Sequence, residues 1–218
     1  AAASGGATDL LTRQFALWLG QEWGRPTLVE NRPGGGSLIA TQVLQKAAPD
    51  GNTLMLGALT HVANVAMMDA ATYDPVKDFV AISLIAKVPN VIAVSQRSGF
   101  KTLAEFVAAA KAKPGSINYG SAGNGSAGHL AMEYFAAEAG IKLVHVPYKG
   151  SGPMLTNLIG GQTQATFNGL PSLVAQIKGG ALMPLAVGSS ARASSLPEVP
   201  TIAESGYPGF ETSQWYGL

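Results

Sequence analysis

Along this chain, short apolar runs alternate with stretches whose apolar positions recur every three to four residues. The first pattern fits strands, the second helices of about ten residues. Helices are expected at 10–19, 38–47, 61–68, 103–112, 130–139, 153–159 and 170–177, with a short one near 201–205. Strands are expected at 27–30, 53–56, 79–86, 91–95, 116–119, 143–146, 165–167 and 182–187, and 211–218 reads as a final extended segment. Turn residues punctuate the alternation: Pro49-Asp50-Gly51, Asp74-Pro75, Pro114-Gly115, Gly160-Gly161 and Gly179-Gly180. Thr8 and Ser37 stand where N-caps belong, and Thr102-Leu103-Ala104-Glu105 has the form of a capping box. Strands alternating with helices predict an α/β fold with mostly parallel sheets. The 91–95 and 211–218 segments read as the two ends of an inserted unit. That places one domain at 91–211 and another, incomplete, at 1–90, with 212–218 returning to it as a crossing strand.

Composition narrows the function. Of 218 residues 47% are hydrophobic, yet no apolar run approaches 18 residues, so a soluble globular chain without direct membrane insertion is expected. A formal charge of +1 gives nucleic acid and membrane surfaces no electrostatic hold. Charged residues are 12%, about half the usual share, beside 27 glycines and 13 prolines, which favours short turns over salt-bridged helices. Cysteine is absent, which excludes disulfides, thiolate catalysis and cysteine zinc sites while leaving the compartment open. Ala1-Ala2-Ala3-Ser4 lacks the basic and apolar parts of a signal peptide, as the start of a processed exported chain would.

The stretch with most chemical content is Tyr119-Gly120-Ser121-Ala122-Gly123-Asn124-Gly125-Ser126-Ala127-Gly128-His129. It follows a strand and opens a helix, so unpaired N–H groups and the positive end of a helix dipole suit an anion there. Ser4-Gly5-Gly6-Ala7-Thr8 is a second loop of the same kind. Gly123 to Gly128 spells G-x-G-x-x-G, but a dinucleotide site wants an acid about twenty residues on, and no Asp or Glu lies between Glu138 and Glu198. No G-K-[ST] follows, so it is not a P-loop either.

Neither Ser121 nor Ser126 sits in G-x-S-x-G. A triad would need His145 or His61 from elsewhere, plus a carboxylate that is not near in sequence. Histidines 61, 129 and 145 have no ligand spacing, so no metal and no cofactor are expected. Anion binding without chemistry remains. The acid-free span carries Lys142, Lys149, Lys178 and Arg192, of which Lys178 and Arg192 read as solvated surface. N-capping is the plainer role for Ser121 and Ser126, and contact with a ligand is the favoured one. Hydrogen bonds to a charged group contribute roughly 1.5–3 kcal/mol each, and micromolar affinity needs about 8 kcal/mol. Four to six donors supply that gross energy.

Six motifs, in order, carry a resemblance. They are Val29-Glu30-Asn31-Arg32-Pro33-Gly34-Gly35-Gly36, Ala48-Pro49-Asp50-Gly51, Tyr119-Gly120-Ser121-Ala122-Gly123, His145-Val146-Pro147-Tyr148-Lys149-Gly150, Gly160-Gly161-Gln162 and Pro200-Thr201-Ile202-Ala203-Glu204. Through them the chain resembles, over essentially its whole length, the solute receptors of tripartite tricarboxylate transporters, the Bug proteins. The resemblance implies a periplasmic-binding-protein type II-like fold, with two α/β domains joined by crossing strands and a ligand cleft between them. It implies a periplasmic receptor that closes on a small carboxylate and presents it to membrane permease subunits. The ligand contacts it implies are Ser4, Gly5, Gly6, Ala7, Thr8, Ser121, Ala122, Gly123, Ser126 and His129. Ala58, Leu59, Thr60, His61 and Tyr148 would line the cleft. Family members often carry an acid where this chain has Asn168, which suggests a ligand without a positive group. They also have a strand before the first glycine loop and run on past Trp215-Tyr216-Gly217-Leu218, so the first domain is expected to be truncated at both chain ends. Two competing functions are a hydrolase or transferase using Ser121 or Ser126, and a ligand-sensing interaction module.

Overall fold

Apolar residues spaced for a helix form α1 (Ala7–Trp23), which buries Ala16 and Leu19. The computed structural model describes residues 7–218. Thr8 is not the cap of α1 but part of its first turn, where its carbonyl accepts a bond from Thr12 Oγ1 at 2.6 Å. Asp9, 4% exposed, ties the helix to the following loop. It accepts from Arg13 Nε at 3.1 Å and from Asn31 Nδ2 at 2.8 Å, which gives the Glu-Asn-Arg-Pro motif a structural role. Helix α2 (Leu38–Gln45) follows, then the two-residue β1 (Gly57–Ala58) and α3 (Leu59–Met67). Ser37 does not cap α2 through its side chain; it sits at φ +81° and turns its Oγ to Thr60 Oγ1, 3.3 Å away. The strands expected at 27–30 and 53–56 do not form, because no ladder reaches them among the described residues, and Leu28 is left 88% exposed.

The expected pair of strands at 79–86 and 91–95 is instead one strand, β2 (Leu84–Ser95), continuous through Pro89. Pro89 is tolerated because its missing N–H falls just before Asn90, where the pairing with β5 begins. Then come α4 (Leu103–Ala112), β3 (Asn118–Ser121), α5 (Ala127–Ala139), β4 (Val144–Pro147), α6 (Ser151–Gly160), β5 (Ala165–Gly169), α7 (Val174–Lys178), β6 (Leu182–Val187) and β7 (Ser213–Gly217). The capping box of α4 forms in full, with Thr102 and Glu105 bonding each other's backbone N–H. In place of a helix at 201–205 there are turns, although Thr201 and Glu204 exchange the same reciprocal bonds at 3.0 and 2.7 Å. Arg192 pairs with Glu204 at 2.9 Å while both side chains stay exposed, so it is the surface cation its position suggested.

The chain divides into two compact units, Ala1–Lys87 with Trp215–Leu218, and Val88–Gln214. In the first, β1 runs antiparallel to β7, with Gly57 opposite Gly217. In the second, β2 is central, antiparallel to both β5 and β6, while β3 runs parallel to β4 and β5. The sheets are therefore mixed, not mostly parallel. Ile92 and Phe167 face the helices α4 and α5 within one apolar cluster that includes Phe106, Met132 and Phe135. Val91 and Ala93 face a second cluster with Met154, Leu158 and Leu173. Both faces of the sheet are covered, which holds the ends of β3 and β4 in place.

Candidate functional site

Strand β3 delivers the chain to a turn at 122–126 and from there into α5. Gly128 is what lets α5 sit down on the sheet: a Cβ there would lie 2.2 Å from the Phe167 carbonyl oxygen. Gly123 has φ +130°, which disfavours any side chain, and a Cβ would also stand 3.2 Å from the Tyr148 carbonyl. Ser126 caps α5, its Oγ accepting from His129 N at 3.3 Å. The loop after β4 is laced to this one, with Tyr148 N donating to Ser121 O and Gly150 N to Ala122 O, both at 3.1 Å. Helix α6 then starts at Ser151 with no side-chain cap. Two helix N-termini thus follow directly from the carboxyl ends of two parallel neighbouring strands, the place where open α/β sheets bind ligands.

Beneath the turn lies a cluster of rings. The parallel register puts His145 opposite Tyr119, and the two rings stack with centroids 4.9 Å apart. His129 stacks against His145 at 4.0 Å. Ser121 Oγ is 2.6 Å from His145 Nε2 and also takes part in two 3.1 Å contacts with Gly123, to its N and its O. His129 Nδ1 accepts from Gly125 N at 3.1 Å. Tyr119 donates its hydroxyl to Glu133. Burial, and then the positive charge His129 would carry, lower the His145 pKa to about 4, against a smaller opposing pull from Glu133. Burial and the hydrogen bond to Glu133 push the Tyr119 hydroxyl far above its usual range. At neutral pH both rings beside the loop are uncharged, and the site presents dipoles and N–H groups.

The sequence-derived residues fall into three sets. Ser121, Ala122, Gly123, Ser126, His129 and Tyr148 are brought together by the two laced loops. Asn168, 8% exposed at the end of β5, belongs beside them: its Nδ2 donates to Ser151 Oγ at 3.2 Å and its Oδ1 accepts from Gly169 N at 2.9 Å. Ala7, Thr8 and Thr60 lie in the first unit, at the starts of α1 and α3, and Ser4, Gly5 and Gly6 fall outside the described residues. His61 packs among rings in the first unit. It is 8% exposed, stacked on Tyr73 at 5.2 Å and edge-on to Phe79 at 4.9 Å, and burial lowers its pKa.

Sequence reasoning missed the roles of His145 and of the Ser151-Gly152 start of α6. The second had a readable signal, since Gly150-Ser151-Gly152 repeats the glycine–serine strand-to-helix junction of the first loop. The first had none, because only the β3–β4 register brings His145 to Ser121.

Residues 11–218 match the family model described as the tripartite tricarboxylate transporter family receptor. BugT of Bordetella pertussis strain Tohama I is 35% identical over 216 residues, which are 98% of this chain and 66% of BugT. Among solved structures, R. palustris Rpa4515 with adipate has a TM-score of 0.93 at 35% identity, over 99% of this chain and 73% of that one. MatC (Rpa3494) from Rhodopseudomonas palustris with bound malate has a TM-score of 0.91 at 31% identity, over 99% of this chain and 74% of that one. The chain thus spans about two thirds of the length of the curated relative BugT.

Proposed function

The chain belongs to the family of tripartite tricarboxylate transporter receptors, and on that premise we propose that it is a receptor for a small dicarboxylate, held at the 121–129 loop. The observation that carries this reading is the convergence of two laced, glycine-lined helix N-termini, those of α5 and α6, beside a hydroxyl and two stacked imidazoles. Such a site offers hydrogen-bond donors to a carboxylate. The adipate and malate held by two of its structural relatives are both dicarboxylates. Ser121, Ala122, Gly123, Ser126, His129 and Tyr148 are the proposed contacts, and Asn168 acts through Ser151. The first glycine loop, Ser4 to Thr8, and Thr60 are proposed contacts on the sequence pattern and the family resemblance. The same family membership supports presentation of the ligand to membrane permease subunits in the periplasm. Among the described residues no helix is long and apolar enough to cross a membrane.

Calorimetric titration with adipate, malate and monocarboxylate controls tests the proposal. At least one dicarboxylate should bind, and Ser121→Ala should weaken it about tenfold or more, the worth of a hydrogen bond to a charged group. No binding across the panel by the folded protein sinks the reading.

A second reading has one observation in its favour, the 2.6 Å contact between Ser121 Oγ and His145 Nε2, which is the geometry of a nucleophile and its base. Against it, Glu133, the carboxylate of the cluster, is engaged by Tyr119. Turnover of an activated ester that Ser121→Ala abolishes would establish it.

A further inference from the structure

We propose that His145 is a positioning residue for Ser121: its Nε2–H donates to Ser121 Oγ and so aims the single hydroxyl hydrogen away from the imidazole, toward a carboxylate oxygen held at the loop. The inference rests on the carboxylate reading above, and it follows from counting hydrogens. A serine hydroxyl has one hydrogen and two lone pairs. Ser121 Oγ has three polar neighbours: Gly123 N at 3.1 Å, which only donates, Gly123 O at 3.1 Å, which only accepts, and His145 Nε2 at 2.6 Å. The carbonyl therefore takes the hydroxyl hydrogen. Both lone pairs are then acceptors, one for Gly123 N–H and one for His145. All three contacts are made only when Nε2 of His145 carries hydrogen. A carboxylate oxygen arriving at the loop replaces Gly123 O as the acceptor and leaves the other two bonds as they were.

The surroundings hold this arrangement. The titratable groups facing His145 are Tyr119 from β3 and His129 and Glu133 from α5. Tyr119 spends its hydroxyl hydrogen on Glu133. His129 Nδ1 is taken up by Gly125 N–H. Two stacked imidazoles 4.0 Å apart resist a second charge, and burial depresses the His145 pKa. A neutral His145 with hydrogen on Nε2 is a donor, not a base. The contact that resembles a catalytic dyad is thus turned to hold a hydroxyl instead of ionising it.

The test uses the full 218-residue chain with 15N-labelled histidine at neutral pH, observed by NMR before and after adding adipate or malate. The expected result is a hydrogen on Nε2 of His145 and a bare Nδ1, in both states. A hydrogen on Nδ1 in the ligand-free protein overturns the proposal, and this outcome is readable even if neither diacid binds, in which case it is the carboxylate reading that fails. Affinity supplies a second readout. His145→Gln, whose amide N–H can take the place of Nε2–H, should bind within a few-fold of wild type. His145→Phe keeps a stacked ring without the donor and should bind about tenfold more weakly. On a Ser121→Ala background, His145→Phe should add nothing. Full affinity in His145→Phe alongside weakened binding in Ser121→Ala also overturns the proposal.

Discussion

The two units answer the same kind of sequence pattern in opposite ways. In the second unit, strand and helix signals from 88 to 214 become a sheet covered on both faces, and both apolar clusters lie within that range. In the first, apolar side chains of similar periodicity stay in water. Of the sixteen large apolar side chains that are exposed among the described residues, fourteen belong to the first unit, with Leu28 at 88%, Val80 at 87% and Val76 at 80%. The difference teaches that a strand pattern is a request for a partner. The 165–169 segment finds β2 and β3 and is fully buried, while 27–30 finds no ladder among the described residues and leaves Leu28 in water. The 121–129 loop therefore rests on the unit that holds both apolar clusters.

Substitutions can break or sharpen this contrast. Phe135, fully buried among Tyr207 and Phe210, should cost about 3–5 kcal/mol when replaced by alanine, read from denaturant unfolding. Gly128→Ala should cost about 1–3 kcal/mol, because its Cβ meets the Phe167 carbonyl, and it should also weaken diacid binding by displacing the start of α5. Acid should come next. The His145 pKa lies at about 4 in the folded state, against about 6.5 in an unfolded chain, so the unfolded state binds the extra proton between those values. The contribution is complete above about pH 6.5, is lost as pH falls toward about 4, and declines no further below it. Thermal melts across that window should show a smaller acid loss in His145→Gln. Thr102→Ala should cost about 1 kcal/mol by opening the α4 capping box. Leu28→Ser should change stability by less than about 0.5 kcal/mol, since the side chain leaves nothing.

What could be read in advance follows the same division. The capping box at Thr102 and Glu105, the helix stop at Gly140 and the strand Leu182–Val187 are local signals, and each stands where its residues put it. The periplasmic-binding-protein type of fold was legible from motif order, and the solved relatives share it. The Tyr-Gly-Ser-Ala-Gly loop was legible as a strand-to-helix junction for the same local reason. Ser37 and Thr8 misled, because a hydroxyl before an apolar stripe predicts a cap only if the backbone enters the helix there. Pro89 misled because its cost depends on which N–H a neighbour needs. The Ser121–His145–His129 arrangement was illegible: it is created by the parallel register of β3 and β4, with serine and histidine 24 positions apart.

The most direct test of a carboxylate site at the β3–α5 turn is the backbone amide spectrum of the protein titrated with adipate. The account predicts saturable shifts at Gly123, Gly125 and Ser126, in the loop built by Ser121 and His145, and no shift across 27–30. Saturable shifts confined to other residues, with the 121–129 amides unmoved, would contradict it.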